Sequence, residues 1–147
     1  MNYQTMVSDL TGMDISNASL LDEPTSAAEA MMLAKRVAKS KSNTFFVNSK
    51  TFKQTIAIIK SRAKPLGVEI EIGDRPDKGK EYFAAYFQYP NAEGSIEDLE
   101  SVTKDIQAKG GLMIIGTDLL ALTLLKTPGD FGADIAVGSA QRFGVPM

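Results

Sequence analysis

Residues 82–88 read Tyr82-Phe83-Ala84-Ala85-Tyr86-Phe87-Gln88, and every residue before the glutamine is apolar or aromatic. Side chains of a β-strand alternate between the two faces of its sheet, so a strand here would be apolar on both faces. Such strands are typical of parallel sheets that are covered by helices on each side. We therefore predict that residues 82–88 form a central strand of a mostly parallel sheet.

Strand-like and helix-like stretches alternate on either side of that strand. The other predicted strands are residues 44–47, 68–72, 112–116 and 133–138. Helical patterns lie between them at residues 52–64, 96–109 and 119–125, and Ser49 is the predicted cap of the first. Strands that alternate with helices form right-handed βαβ units. The predicted fold class is therefore α/β, a three-layer α/β/α arrangement around a mostly parallel sheet.

Two further helices are predicted before the first strand. Apolar residues recur at helical spacing at Tyr3, Met6, Val7 and Leu10. Gly12 is placed to end that helix, and a second helix covers residues 27–37 with Asp22 or Thr25 as its cap. The first helix is already under way at residue 1, and the chain stops shortly after a strand. We expect residues 1–147 to be a single incomplete domain of a longer chain, with uncovered surfaces that favour self-association.

Composition and charge exclude several classes of function. The chain has no cysteine and no histidine, so disulfides, cysteine zinc sites and histidine-based hydrolytic triads are ruled out. The formal net charge of −2 gives no basis for binding nucleic acid or an anionic membrane. No apolar run approaches the ~20 residues that cross a bilayer, and no targeting segment is evident. Neither a Walker A sequence nor a GxGxxG motif is present.

Candidate binding residues lie where parallel sheets place their ligands, beyond the carboxyl ends of strands. Thr25 and Ser26 open a helix whose amide and hydroxyl groups suit a phosphate, and plain helix capping is the alternative. Asp118 follows a strand and can either cap the next helix or pair with a cationic ring nitrogen of a cofactor. Tyr89, at the end of the central strand, is predicted to line a cleft. These patterns are also compatible with a stand-alone, doubly wound module that binds an anion or a nucleotide.

Five motifs, in order along the chain, resemble those of the P-proteins of the glycine cleavage system. They are NYQTM and DLTG (residues 2–6 and 9–12), NASLLDE (17–23, followed by Thr25 and residues 27–30), QYP (88–90, followed by residues 93–94), TDLLALT (117–123), and GADI running into GSAQRFGVPM (132–135 and 138–147). The resemblance covers essentially the whole chain, and the last motif is the most specific of the five.

The resemblance implies both a fold and a reaction. P-proteins have the large-domain fold of fold-type-I pyridoxal-phosphate enzymes. Their substrate glycine forms a Schiff base with pyridoxal phosphate, whose ring acts as an electron sink while carbon dioxide leaves. The aminomethyl group then passes to the lipoyl arm of the H-protein. The implied location is the cytoplasm of a bacterium or the mitochondrial matrix of a eukaryote.

The resemblance also places this chain in the N-terminal half of the enzyme. P-proteins have two related halves, in one chain or in two subunits, and the Schiff-base lysine belongs to the C-terminal half. The matching position here is Gln141, whose amide is not a nucleophilic amine. We therefore expect no catalysis from this chain alone, and a supporting role beside the C-terminal half or partner subunit. The candidate cofactor-binding residues are Thr25, Ser26 and Asp118, and the candidate cleft-lining residues are Tyr89, Ser139 and Arg142.

Overall fold

The computed structural model of the chain describes residues 2–17 and 19–144. In that part of the chain, the strands form one sheet in which all neighbours are parallel, in the order β2-β1-β3-β4-β5. The strands are β1 (Thr44–Asn48), β2 (Glu69–Gly73), β3 (Ala84–Tyr89), β4 (Leu112–Asp118) and β5 (Ile135–Ser139). The sequence-based prediction of a mostly parallel sheet is confirmed.

Helices cover both faces of this sheet. They are α1 (Asn2–Thr11), α2 (Glu23–Val37), α3 (Lys53–Ala63) and α4 (Glu100–Gln107). Successive strand residues point to opposite faces, so Phe45 packs with α2 and α3 while Phe46 packs with α4. The result is the predicted three-layer α/β/α arrangement.

The central position of β3 follows from its side chains. All six of its residues are buried, and the small side chain of Ala84 lies in the same core as Ala27, Ala30 and Ala34 of α2. Small residues on both elements let the helix approach the sheet closely. Tyr82 and Phe83 are also buried but precede the strand, which runs to Tyr89.

Two of the local predictions were wrong. Ser49 does not cap α3, since the residue before that helix is Phe52 and it makes no side-chain capping bond. The Ser49 hydroxyl instead bonds to the Asp74 carboxylate. Residues 119–125 form only a 3-10 turn, Ala121–Thr123, because Asp118 accepts the Leu120 amide at 2.9 Å and draws the chain into a tight turn after β4.

Some helix boundaries differ from the predicted ones. The predicted helix over residues 96–109 begins only at Glu100, and Ile96 lies exposed before it. The predictions for the first two helices are better met. The first ends at Thr11, and Gly12 has the positive φ of +68° that glycine adopts without strain. The second is capped by Asp22, which accepts the Thr25 amide at 2.7 Å.

Candidate functional site

Polar side chains converge beyond the carboxyl ends of β3, β4 and β5, beside the start of α2. Gln88 lies near the end of β3, and Asp118 ends β4. Glu23 is the first residue of α2, and Arg142 lies in the 3-10 turn that follows β5. A parallel sheet brings these residues together because all of its strands end at the same edge.

A chain of hydrogen bonds links β3 to α2. The Tyr86 hydroxyl donates to Gln88 Oε1 at 2.9 Å, and Gln88 Nε2 donates to Glu23 Oε1 at 3.1 Å. Gly116 makes room for the first bond, since a Cβ at that position would lie 1.8 Å from the Tyr86 hydroxyl oxygen. The three side chains therefore hold one another in fixed orientations at the edge of the sheet.

Burial shifts the pKa values of the two ionisable groups in this series of hydrogen bonds. Burial raises the pKa of the Glu23 carboxyl above its ordinary value, and the nearby Asp118 carboxylate raises it further. The hydrogen bond from Gln88 lowers that pKa, but its effect is smaller than that of burial. Burial also raises the pKa of the fully enclosed Tyr86 hydroxyl well above its ordinary value. Tyr86 is therefore a neutral donor over the whole physiological range, which suits the acceptor oxygen of Gln88.

Both oxygens of Asp118 have partners within the chain. Oδ1 accepts the Leu120 amide at 2.9 Å, and Oδ2 accepts Arg142 Nε at 2.9 Å. The first contact caps the turn after β4, which is the capping alternative considered for this residue. A cofactor ring nitrogen would have to displace Arg142, whose side chain is more exposed than that of Asp118.

The start of α2 does not fit a phosphate group. The Thr25 amide is bonded to the Asp22 carboxylate, and the Ser26 hydroxyl donates to the Asp22 carbonyl at 2.7 Å. Pro24 has no amide hydrogen to offer. The carboxyl groups of Asp22 and Glu23 lie at this start of the helix, where a bound phosphate would add further negative charge. In this structure the Thr25 amide is engaged in the helix cap, and the Ser26 hydroxyl is engaged with a backbone carbonyl four residues earlier.

Tyr89, which was predicted to line a cleft, is enclosed within this chain. Its side chain is only 2% exposed. The ring packs edge-to-face on Phe131 with their centroids 5.2 Å apart, and Leu99 belongs to the same core. Tyr89 points to the face of the sheet that α4 covers, where these neighbours enclose it.

Ser139 and Gln141 do border an open depression of about 380 Å³ between the start of α2, the start of α3 and the end of β5. Asp22, Glu23 and Ser26 lie on its other side. The residues that line the depression include no lysine. Pyridoxal phosphate needs an amine for its aldehyde, and the residues that line this depression offer none.

The connection between Tyr86, Gln88 and Glu23 was not predicted from the sequence. Gln88 carried the one available signal, because it is the only polar residue of an otherwise apolar predicted strand. Its partner Glu23 is 65 residues away in the sequence, and no local pattern joins the two.

Comparisons with known proteins agree on one family. The sequence model of the family described as Glycine cleavage system P-protein matches residues 1–147. The glycine dehydrogenase (decarboxylating) of Rhodopseudomonas palustris strain BisA53 is 54% identical over 148 residues, which cover 99% of this chain. The chain spans 15% of that relative's length.

Solved structures show the same relationship. A crystal structure of glycine decarboxylase (P-protein) of the glycine cleavage system, in inhibitor-bound form, superposes with a TM-score of 0.88 at 32% identity. That match covers 99% of this chain and 34% of the other.

A more distant match shows the fold alone. The cystathionine gamma synthase of Xanthomonas oryzae pv. oryzae has a TM-score of 0.71 at 17% identity, over 94% of this chain and 36% of the other. The fold is that of the large domain of fold-type-I pyridoxal-phosphate enzymes, as predicted. The match over its whole length and the 54% identity show that this chain belongs to the glycine cleavage system P-protein family.

Proposed function

We propose that this chain is part of the N-terminal half of a glycine dehydrogenase (decarboxylating). The parent enzyme releases carbon dioxide from glycine with the help of pyridoxal phosphate, and passes the aminomethyl group to the lipoyl arm of the H-protein. The observation that carries the proposal is the 54% identity to the Rhodopseudomonas palustris glycine dehydrogenase over 99% of this chain. The TM-score of 0.88 to a solved P-protein supports it.

The amine that holds the cofactor comes from another part of the parent enzyme. Gln141 follows β5 at the position where the family resemblance places the lysine, and its exposed side chain is an amide. An amide nitrogen is not nucleophilic, so it cannot add to the cofactor aldehyde. The absence of lysine from the lining of the neighbouring depression supports the same conclusion. This chain alone therefore does not decarboxylate glycine.

The polar end of the sheet provides a rigid surface against which the other half of the enzyme packs. The hydrogen bonds from Tyr86 through Gln88 to Glu23 tie the start of α2 to the sheet. The ion pair between Asp118 and Arg142 ties the turns that follow β4 and β5 to one another. The C-terminal half, or a partner subunit that corresponds to it, packs against this end and carries the lysine.

The proposed location follows from the parent enzyme. We place it in the cytoplasm of a bacterium, as for the bacterial relatives, or in the mitochondrial matrix if the source is eukaryotic. Within the described residues, no helix is both long and apolar enough to cross a membrane.

Replacement of the matching segment in the Rhodopseudomonas palustris enzyme tests the proposal. The chimera, supplied with glycine, pyridoxal phosphate and lipoylated H-protein, should release carbon dioxide at a rate within about tenfold of the unmodified enzyme, or ~1.4 kcal/mol in barrier height. A chimera that folds and binds cofactor but releases none would contradict the proposed function.

Two controls show whether this chain takes part in the reaction or only supports the half that does. The isolated chain, under the same conditions, should release no carbon dioxide above background. Gln141→Ala in the chimera should leave the rate within a few-fold, because the amide performs no chemistry. Loss of about a hundredfold or more in that variant would show that Gln141 acts in the reaction.

A further inference from the structure

The start of α3 offers hydrogen-bond donors at the carboxyl edge of the sheet. The residue before this helix is Phe52, which makes no side-chain capping bond. The first amides of a helix have no carbonyl partner within it, and in α3 these are the amides of Lys53, Gln54 and Thr55. No partner for them lies elsewhere in residues 2–17 and 19–144. The positive end of the helix dipole therefore coincides with free amide groups.

A buried hydroxyl at the same place also lacks a partner. Thr55 lies in the first turn of α3 and is 0% exposed. Within the described part of the chain, its Oγ1 makes no hydrogen bond. Thr55 is one of the residues that line the depression of about 380 Å³, together with Phe52 and Gln54. Buried hydroxyl groups nearly always have a partner, so the Thr55 hydroxyl is available as a donor to a ligand in this depression.

The other side of the depression carries two carboxyl groups. Asp22 and Glu23 are the only charged residues that line it. Among the ion pairs of the described residues, none includes either of them. Gln88 Nε2 donates to Glu23 Oε1 and fixes the side chain, which is half-buried. Because a buried carboxylate without a cation is unfavourable, this side suits a positively charged group.

We propose that this depression binds a small α-amino acid in its zwitterionic form, without a covalent bond. The ligand's carboxylate accepts hydrogen bonds from the free amides of α3 and from the Thr55 hydroxyl. Its ammonium group donates to Glu23, and Asp22 adds negative charge on the same side. Inorganic phosphate has no ammonium group and would meet two carboxylates of its own sign, so it binds less well. The inference goes beyond the proposed function, since every group that it uses belongs to this chain.

Amide hydrogen exchange in the chimera with the Rhodopseudomonas palustris enzyme tests the site, with glycine as the probe. The bound cofactor is first reduced with borohydride, so that glycine cannot react with it. Saturating glycine should slow exchange of the Lys53 and Gln54 amides by about tenfold or more. Acetate, methylammonium and inorganic phosphate each lack one of the two charged groups and should have little effect. No slowing by glycine, or equal slowing by any of the other three, would overturn the inference.

Matched substitutions provide a second measurement. The Thr51 and Thr55 hydroxyls are both buried and unpaired within the described residues, but Thr51 does not line the depression. Calorimetric titration of glycine into the reduced chimera should give about tenfold weaker binding for Thr55→Val and an unchanged dissociation constant for Thr51→Val. Glu23→Gln keeps an acceptor for Gln88 but loses the charge, and should also weaken binding by about tenfold. Equal effects of the two threonine substitutions, or unchanged binding in Glu23→Gln, would contradict the inference.

The same chimera separates this inference from the proposed function. A chimera that released carbon dioxide from glycine before reduction, but shows no slowing at Lys53 and Gln54 afterwards, would overturn the inference and leave the proposed function intact. Slowing by glycine in a chimera that releases no carbon dioxide would support the inference and count against the proposed function.

Discussion

Gly116→Ala is the substitution whose effect the structure specifies most closely. An ideal Cβ at Gly116 would lie 1.8 Å from the Tyr86 hydroxyl oxygen, 2.6 Å from Cζ of the same ring and 2.8 Å from Gln88 Oε1. Neither β3 nor β4 can yield easily, since each is buried and paired on both sides. The methyl group must therefore displace the Tyr86 ring and break its bond to Gln88.

The expected cost has two parts. Overpacking of a well-packed core costs about 1–3 kcal/mol. Loss of the buried hydrogen bond, with Gln88 Oε1 left without its donor, adds roughly 1 kcal/mol. We therefore expect Gly116→Ala to lower the free energy of unfolding by about 2–4 kcal/mol.

Urea denaturation followed by circular dichroism measures this change, and Gly73→Ala is the matched control. Gly73 is also a strand residue, but its Cβ would meet its nearest neighbour, a Phe46 ring carbon, at an ordinary 3.6 Å. That variant should stay within about 0.5 kcal/mol of the parent or gain slightly. Adding Tyr86→Phe to Gly116→Ala should recover only part of the loss, because the ring carbon at 2.6 Å remains. A Gly116→Ala protein as stable as the Gly73→Ala control would show that the methyl group does not displace the Tyr86 ring.

Four further predictions concern the same end of the sheet and its open edge. Asp22→Ala removes the cap of α2 and should lower the free energy of unfolding by about 1 kcal/mol. Asp22→Asn should retain most of the stability that the cap contributes, because an amide oxygen can also accept the Thr25 amide. Equal losses for the two variants in urea denaturation would contradict this prediction. Burial raises the pKa of Glu23 above its ordinary 4.5, so the stability that its proton confers is present below that value and lost as pH rises through the folded pKa. Glu23→Gln should therefore gain stability relative to the parent between pH 4 and pH 7, and a relative loss over that range would reverse the sign. Arg142→Ala removes an exposed ion pair and should change the free energy of unfolding by less than about 1 kcal/mol, which the same titration checks. The isolated chain should self-associate through the uncharged edge of β5, and a strictly monomeric species by light scattering at high concentration would exclude this.

The sequence was sufficient for the architecture because the strands are strongly patterned. A run such as residues 82–88, apolar on both faces, has few alternatives to a central parallel strand. Gly12 and Asp22 carry backbone and capping preferences that are local, and both acted as predicted. Such features depend on neighbours within a few residues, so one sequence is enough to recognise them.

Other features depend on contacts that the sequence does not display. Tyr89 was predicted to line a cleft from its place at a strand end, but Phe131, 42 residues later, covers it. The apolar residues after Asp118 suggested a helix, and the bond from Leu120 to that carboxylate produced a turn. Local pattern does not reveal which distant side chain satisfies or covers a given group, and that decides the detail of the site.

The position of the cofactor lysine in the parent enzyme distinguishes a supporting half from a catalytic one. The chimera, saturated with pyridoxal phosphate and reduced with borohydride, can be digested and its peptides identified by mass spectrometry. We predict that the reduced cofactor is attached to a lysine outside residues 1–147, in the C-terminal half, at close to one cofactor per site. Attachment at similar yield to a lysine of this chain, such as Lys126, which is ion-paired with Glu100 in the structure, would show that this half carries the cofactor itself.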